Sequence, residues 1–219
     1  MSKTWIILLI DASGSMDTLQ REVSSGYVNF VNAQKSLPTP CELSVYTFND
    51  RPKHIFVNRD IHTKNTEIVY STTGGTAIYD TLLKASSDIF AKNLALSPEE
   101  RPTEVIFILV TDGAENRSHS SLSETHTCIT SLEKDYGWHF LFVGSNQNAY
   151  ATGSKMGIKA GKALSFAASA NGLEAAFGAM AQSVLKYRQS GAPHANQFFS
   201  ETDHSFQASL GASRSPLKS

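Results

Sequence analysis

The stretch Trp5-Ile6-Ile7-Leu8-Leu9-Ile10 is apolar without a break, and it ends abruptly at Asp11-Ala12-Ser13-Gly14-Ser15. A short continuous apolar run reads as a strand buried on both faces, as in the middle of a parallel sheet. The polar residues that stop it then lie at the carboxyl end of that strand. Two further runs share the pattern. Val105 to Val110 stops at Thr111-Asp112-Gly113, and Trp138 to Val143 stops at Gly144-Ser145.

Helical spacing fills the gaps. Leu19, Val23, Tyr27, Phe30 and Val31 recur at the helical period between Asp17 and Gln34, and Pro38 and Pro40 close that segment. Ile78, Leu82, Ala85 and Ile89 mark a helix from Ala77 to Asn93. Leu122, Cys128, Ile129 and Leu132 mark another, and Leu173 to Arg188 a further one. Leu43, Val45, Tyr46 and Phe48 read as a strand. The turn Asn49-Asp50-Arg51-Pro52 leads from it into an antiparallel strand, His54 to Val57. Ala163 to Phe166 reads as a short last strand. Strands alternating with helices predict an α/β fold, a doubly wound, mostly parallel sheet with one antiparallel edge strand. The predicted organisation is one domain over 1–190 and a Ser-rich, loosely ordered tail over 191–219, whose aromatic residues are Phe198, Phe199 and Phe206.

With 219 residues, 41% of them hydrophobic, the chain has enough apolar surface for a core. A net charge of -1 argues against capture of nucleic acid or an anionic membrane by bulk charge, so neither is an expected partner. Cys41 and Cys128 sit in no CxxC pair and read as free thiols. The run ending at Ile10 is too short to span a bilayer, and no small-residue cleavage pattern follows it. A cytoplasmic location is the expectation.

Three polar segments fall at strand ends or in loops of the same sheet edge: Asp11-Ala12-Ser13-Gly14-Ser15, Gly74-Gly75-Thr76 and Thr111-Asp112-Gly113. In an open α/β sheet, ligands gather at the carboxyl edge where strand order reverses. If the strand after the Thr76 helix lies beside the first strand, Asp11 and Asp112 face each other across that crevice. Two facing carboxylates repel unless a cation sits between them. Ser13, Ser15 and Thr76 add neutral oxygens, and an all-oxygen set suits a hard cation, Mg²⁺ first and Mn²⁺ next. Each of these residues alone also fits a plain helix cap. All five in order do not.

Asp11-x-Ser13-x-Ser15 with a later Thr76 and Asp112 resembles the metal-ion-dependent adhesion site (MIDAS) of von Willebrand factor A (vWA) domains. The resemblance covers residues 4 to 190 and implies a Rossmann-like fold. It implies that Ser13, Ser15 and Thr76 ligate the ion directly, while Asp11 and Asp112 act mostly through water. The under-neutralised ion then takes a Glu or Asp from a partner protein. Gly144-Ser145-Asn146-Gln147-Asn148 is similar to segments of some bacterial and phage members, and a rim to the partner site or a helix-opening turn explains it equally.

Other signals are weaker. His119, His126 and Cys128 match no zinc spacing. Gly157 to Lys162 is one residue short of a phosphate loop, and Ala163 stands where Ser or Thr is required. Ser13 lacks the GxSxG setting of a hydrolase nucleophile. Arg51, Lys53, His54 and Arg59 form a mildly basic stretch between Asp50 and Asp60, read as a solvated hairpin. No enzymatic activity is expected. The rivals are a metal-dependent hydrolase, and a structural subunit whose metal only stiffens its loops.

Overall fold

The computed structural model describes residues 2–145, 149–190 and 196–212. In chain order the elements are β1 (Thr4–Asp11), α1 (Gln20–Lys35), β2 (Cys41–Phe48), β3 (Pro52–Asp60), α2 (Ile78–Leu94), β4 (Glu104–Thr111), α3 (Leu122–Tyr136), β5 (His139–Ser145), α4 (Ala149–Lys155), β6 (Ala163–Phe166), α5 (Ala170–Ser190) and α6 (Glu201–Ala212). Six strands form one sheet in the order β3-β2-β1-β4-β5-β6. Every neighbouring pair is parallel except β2 and β3. The predicted α/β sheet with its single antiparallel edge strand is therefore the observed one.

Burial on both faces explains the unbroken apolar runs. On β1, Ile6, Leu8 and Ile10 face the layer of α1 and α5. Trp5, Ile7 and Leu9 face the layer of α2 and α3. The same alternation divides Ile106, Ile108 and Val110 from Val105, Phe107 and Leu109 on β4. Period-two alternation places successive side chains on opposite faces, so a strand covered twice needs apolar residues throughout. α1 and α5 pack so closely that a Cβ on Gly26 would lie 2.5 Å from the Phe177 ring. α3 starts with a capping box, Ser121 and Glu124, and ends at Gly137 with φ 66°, a conformation that suits glycine.

Asp17 to Leu19, read above as helix, belong instead to a 3-10 turn, Gly14–Leu19, that carries the chain off the sheet edge before α1. Two helices lack a clear sequence signal. α4 is a short helix, and α6 has little amphipathic contrast. In the segment after residue 190, residues 191–195 and 213–219 lie outside the described residues. Of the rest, Phe198 and Phe199 are buried against the α5 layer, and both of their amides donate to the Gly161 carbonyl. α6 then runs beside β6. Gln207 accepts from the Ala167 amide at 3.3 Å and donates to the Gly172 carbonyl at 3.0 Å. None of the described helices is long and apolar enough to cross a membrane.

Candidate metal centre

The chain leaves β1 for β2 and β3 on one side, then returns to β4 on the other. The crevice this opens lies at the carboxyl ends of β1 and β4. Asp11 is the last residue of β1, and Asp112 follows the last residue of β4. Asp11 is fully buried. Its Oδ1 accepts from the Ser13 amide at 2.8 Å, and its Oδ2 from the Thr111 hydroxyl at 2.5 Å. Burial pushes its carboxyl up to about 6. The bonds from Thr111 and Ser13 pull the other way, and the charge of Asp112 adds to the rise.

The hydroxyls are ordered in one direction. Ser15 Oγ donates to Asp112 Oδ1 at 2.6 Å, and Ser13 Oγ lies 3.0 Å from Ser15 Oγ. A hydroxyl has one proton, so Ser13 is the donor to Ser15. The fifth residue, Thr76, is gripped from both sides. Its amide donates to Asn116 Oδ1, and its carbonyl accepts from the Asn116 amide, each at 3.0 Å.

Gly113 shows that these groups converge. A Cβ at this position would lie 3.1 Å from Thr76 Oγ1 and 3.7 Å from both Asp11 Oδ2 and Ser15 Oγ. One point beside the β4 loop is thus flanked by oxygens from the β1 loop and from the Thr76 loop. Among the described residues no Lys, Arg or His makes an ion pair with Asp11 or Asp112. A half-shell of oxygens with two carboxylates and no protein cation fits a hard divalent ion.

The loops hold this arrangement tightly. Gly14 N donates to the Gly74 carbonyl at 3.0 Å, and Thr73 N to the Ala12 carbonyl at 2.8 Å, tying the Thr76 loop to the β1 loop. The Tyr70 hydroxyl donates to the Asp11 carbonyl. Glu115 accepts from the amides of Ile78, Tyr79, Arg117 and Ser118 and from the Ser118 hydroxyl. It thereby caps α2 and fixes the loop that carries Asn116. Sequence reading missed Thr111, Asn116, Glu115 and Tyr70 as supports. They lie in or beside aperiodic loops, where only a three-dimensional partner gives a residue its role.

All five residues singled out in the sequence come together at this crevice. The neighbouring segment is only partly described. Ser145 Oγ donates to the Asp112 carbonyl at 2.7 Å, while Asn146, Gln147 and Asn148 lie outside the described residues. His119, His126 and Cys128 form no metal cluster, and no group of three or more His, Cys, Asp or Glu side chains suited to a metal occurs among the described residues. Lys162 is not a phosphate-loop lysine. It is buried and paired with Glu133 at 2.6 Å.

Comparison with known proteins agrees with the fold. No curated protein sequence matches the chain significantly. Among solved structures, the pilus adhesin SpaC from Lactobacillus rhamnosus GG superposes with a TM-score of 0.60 at 15% identity, covering 85% of this chain and 30% of that one. Proximal thread matrix protein 1 from the mussel byssus, with a zinc-occupied MIDAS motif, gives 0.57 at 20% identity, with 85% and 46% covered. A von Willebrand factor type A protein from Catenulispora acidiphila gives 0.54 at 16%, with 84% and 43% covered. The chain spans less than half the length of each of these three structures, and at such identities the likeness is one of fold. The model of the von Willebrand factor type A domain matches residues 6–179, across the sheet and the crevice just described, and the chain belongs to that family.

Proposed function

We propose that this protein is a metal-dependent binding module. Ser13, Ser15 and Thr76 are the direct ligands of a divalent cation, Mg²⁺ first and Mn²⁺ next, and Asp11 and Asp112 complete the site. A partner protein supplies a Glu or Asp carboxylate to the same site. The observation that carries this reading is the set of oxygens around the space over Gly113, from Thr76, Ser15 and the Asp11 carboxylate, with Asp112 joined to it through Ser15 and no protein cation paired with either carboxylate among the described residues. In its support, the mussel byssus protein has a zinc-occupied motif.

When bound, the cation supplies concentrated positive charge and an open coordination position. The residues of this chain do the rest. Asp11, fixed by Thr111 and the Ser13 amide, holds the first loop in place. Asp112 accepts the Ser15 hydroxyl hydrogen bond and Ser13 donates to Ser15, which leaves one Ser15 lone pair for the ion. Asn116 locks the backbone of Thr76. The role is recognition and not turnover.

Calorimetric titration with Mg²⁺ and Mn²⁺ tests the reading. Wild type is expected to bind one ion, and Asp11→Asn to bind it at least about 100-fold more weakly. Equal binding by the two proteins, or none by wild type at millimolar metal, sinks it.

A further inference from the structure

Between β3 and the Thr76 loop, residues 66–73 run as an extended strip without a turn or bend. Burial alternates along it. Thr66 is buried and Ile68, Tyr70 and Thr72 are half-buried, while Glu67, Val69, Ser71 and Thr73 are exposed. Ile68 and Tyr70 pack on the core layer of α1 and α5. The Tyr27 hydroxyl donates to the Thr66 carbonyl and ties down one end. Thr72 Oγ1 donates to Asp17 Oδ1 at 2.9 Å, and the Thr73 amide to the Ala12 carbonyl, which tie down the other. Such period-two alternation is the pattern of a strand. Yet the strip belongs to no sheet among the described residues.

The main chain of the strip is unpaired. No amide from Ile68 to Thr72, and no carbonyl from Glu67 to Thr72, has a hydrogen-bond partner among the described residues. Val69, in the middle, is 90% exposed, and no other large hydrophobic side chain among the described residues exceeds 55%. The edges of the sheet itself are guarded. β3 starts at Pro52 and carries exposed Lys53 and His54, which discourage strand pairing. Past β6, Gln207 takes the Ala167 amide. The strip has no such guard at its centre, and it leads to the metal centre. The Tyr70 hydroxyl donates to the Asp11 carbonyl, and the Gly74 carbonyl just beyond the strip accepts from the Gly14 amide.

We infer that residues 67–72 take a strand from the partner. An extended peptide segment pairs main chain to main chain with the strip and delivers its Glu or Asp to the metal centre at the strip's end. The inference rests on the metal-binding reading above and adds the form of the partner to it. A row of donors and acceptors at strand spacing is matched by another extended backbone, whereas a helix has already used its own groups internally. An apolar side chain of the incoming strand covers Val69. A second copy of this chain fits less well. Six residues, about 20 Å of extended chain, bury far less than the roughly 800 Å² per partner of a stable dimer.

Amide hydrogen exchange and fluorescence anisotropy test it. The probes are labelled Thr-Val-Thr-Lys repeat peptides with one Glu at the amino end or at the carboxyl end. Each has two twins, N-methylated on one or the other alternate set of amides. In the free protein the amides of residues 68–72 are expected to exchange at open-chain rates, and to slow at least about tenfold with peptide bound. With Mg²⁺, one of the two peptides is expected to bind about tenfold tighter than one of its twins. Val69→Pro removes a donor that has no partner in the free protein. Melting temperature and Mg²⁺ affinity are therefore expected to match wild type, while peptide affinity falls about tenfold. Protection of residues 68–72 in the free protein, failure of both peptides with Mg²⁺ bound, or equal binding of each peptide and its twins overturns the inference. So does a dimer that Val69→Pro abolishes, because the strip then pairs with a second copy. If wild type binds no Mg²⁺, the metal reading fails, and the twin comparison at millimolar peptide decides the docking inference: a preference sustains it and equal binding ends it.

Discussion

The two ends of the sheet handle buried charge in opposite ways. At the amino end, Glu104, Tyr187, His139, Lys162 and Glu133 form a closed chain. Tyr187 donates to Glu104 at 2.6 Å and lies 2.8 Å from His139 Nε2; Lys162 lies 3.3 Å from His139 Nδ1 and donates to Glu133 at 2.6 Å. Because the Tyr187 proton goes to Glu104, His139 must donate from Nε2 and accept from Lys162 at Nδ1. Cation and carboxylates occur together, and each side chain has a partner. At the carboxyl end, the partners of the Asp11 and Asp112 carboxylates among the described residues are hydroxyls and an amide. The first network is complete within the protein. The second lacks positive charge. On the function proposed above, the contrast separates a polar cluster that serves the fold from one that takes a ligand.

Lys162→Met breaks the amino end most severely. It strands Glu133 in a largely buried setting, and the expected loss is about 3–5 kcal/mol in denaturant unfolding, with Mg²⁺ affinity unchanged. At the carboxyl end, Asp11→Asn preserves both hydrogen bonds, because the amide oxygen still accepts from Ser13 and the amide nitrogen donates to Thr111. Metal affinity is expected to fall at least about 100-fold, worth about 2.7 kcal/mol, while the metal-free protein loses no stability. Removing a buried charge that holds its carboxyl near 6 offsets any small loss of fit. A marked drop in metal-free melting temperature would contradict the contrast drawn here.

Tyr187→Phe tests the amino end more gently. It leaves Glu104 and His139 each short of a partner, for about 1–3 kcal/mol, again without a change in metal affinity. The smallest effect is expected for Gly113→Ala, whose methyl would enter the set of oxygens at 3.1 Å from Thr76 Oγ1. About a tenfold loss of Mg²⁺ affinity, with unfolding free energy within about 1 kcal/mol of wild type, is the outcome to look for in paired calorimetry and urea melts. If the substitution instead destabilises the fold and spares the metal, the space over Gly113 is packing and not a site.

The sequence by itself determined the sheet and the identity of the converging residues. Unbroken apolar runs at Trp5–Ile10 and Val105–Val110 require burial on both faces, and such burial demands helices on each side. A polar residue that stops such a strand has to lie at its end, so Asp11 and Asp112 were legible as edge residues from local pattern alone. Only the tertiary structure decided what depends on contacts between distant segments. The placing of β4 beside β1 brings Asp112 to Ser15, and the grip of Asn116 on Thr76 crosses 40 residues of chain. The burial of Phe198 and Phe199 was equally hidden, because two adjacent aromatics carry no period and their pocket is built by α5 and the Gly161 turn. Local periodicity records which side of an element faces the core. It holds no information about which neighbour arrives there, and hydrogen bonds between loops are made by that neighbour.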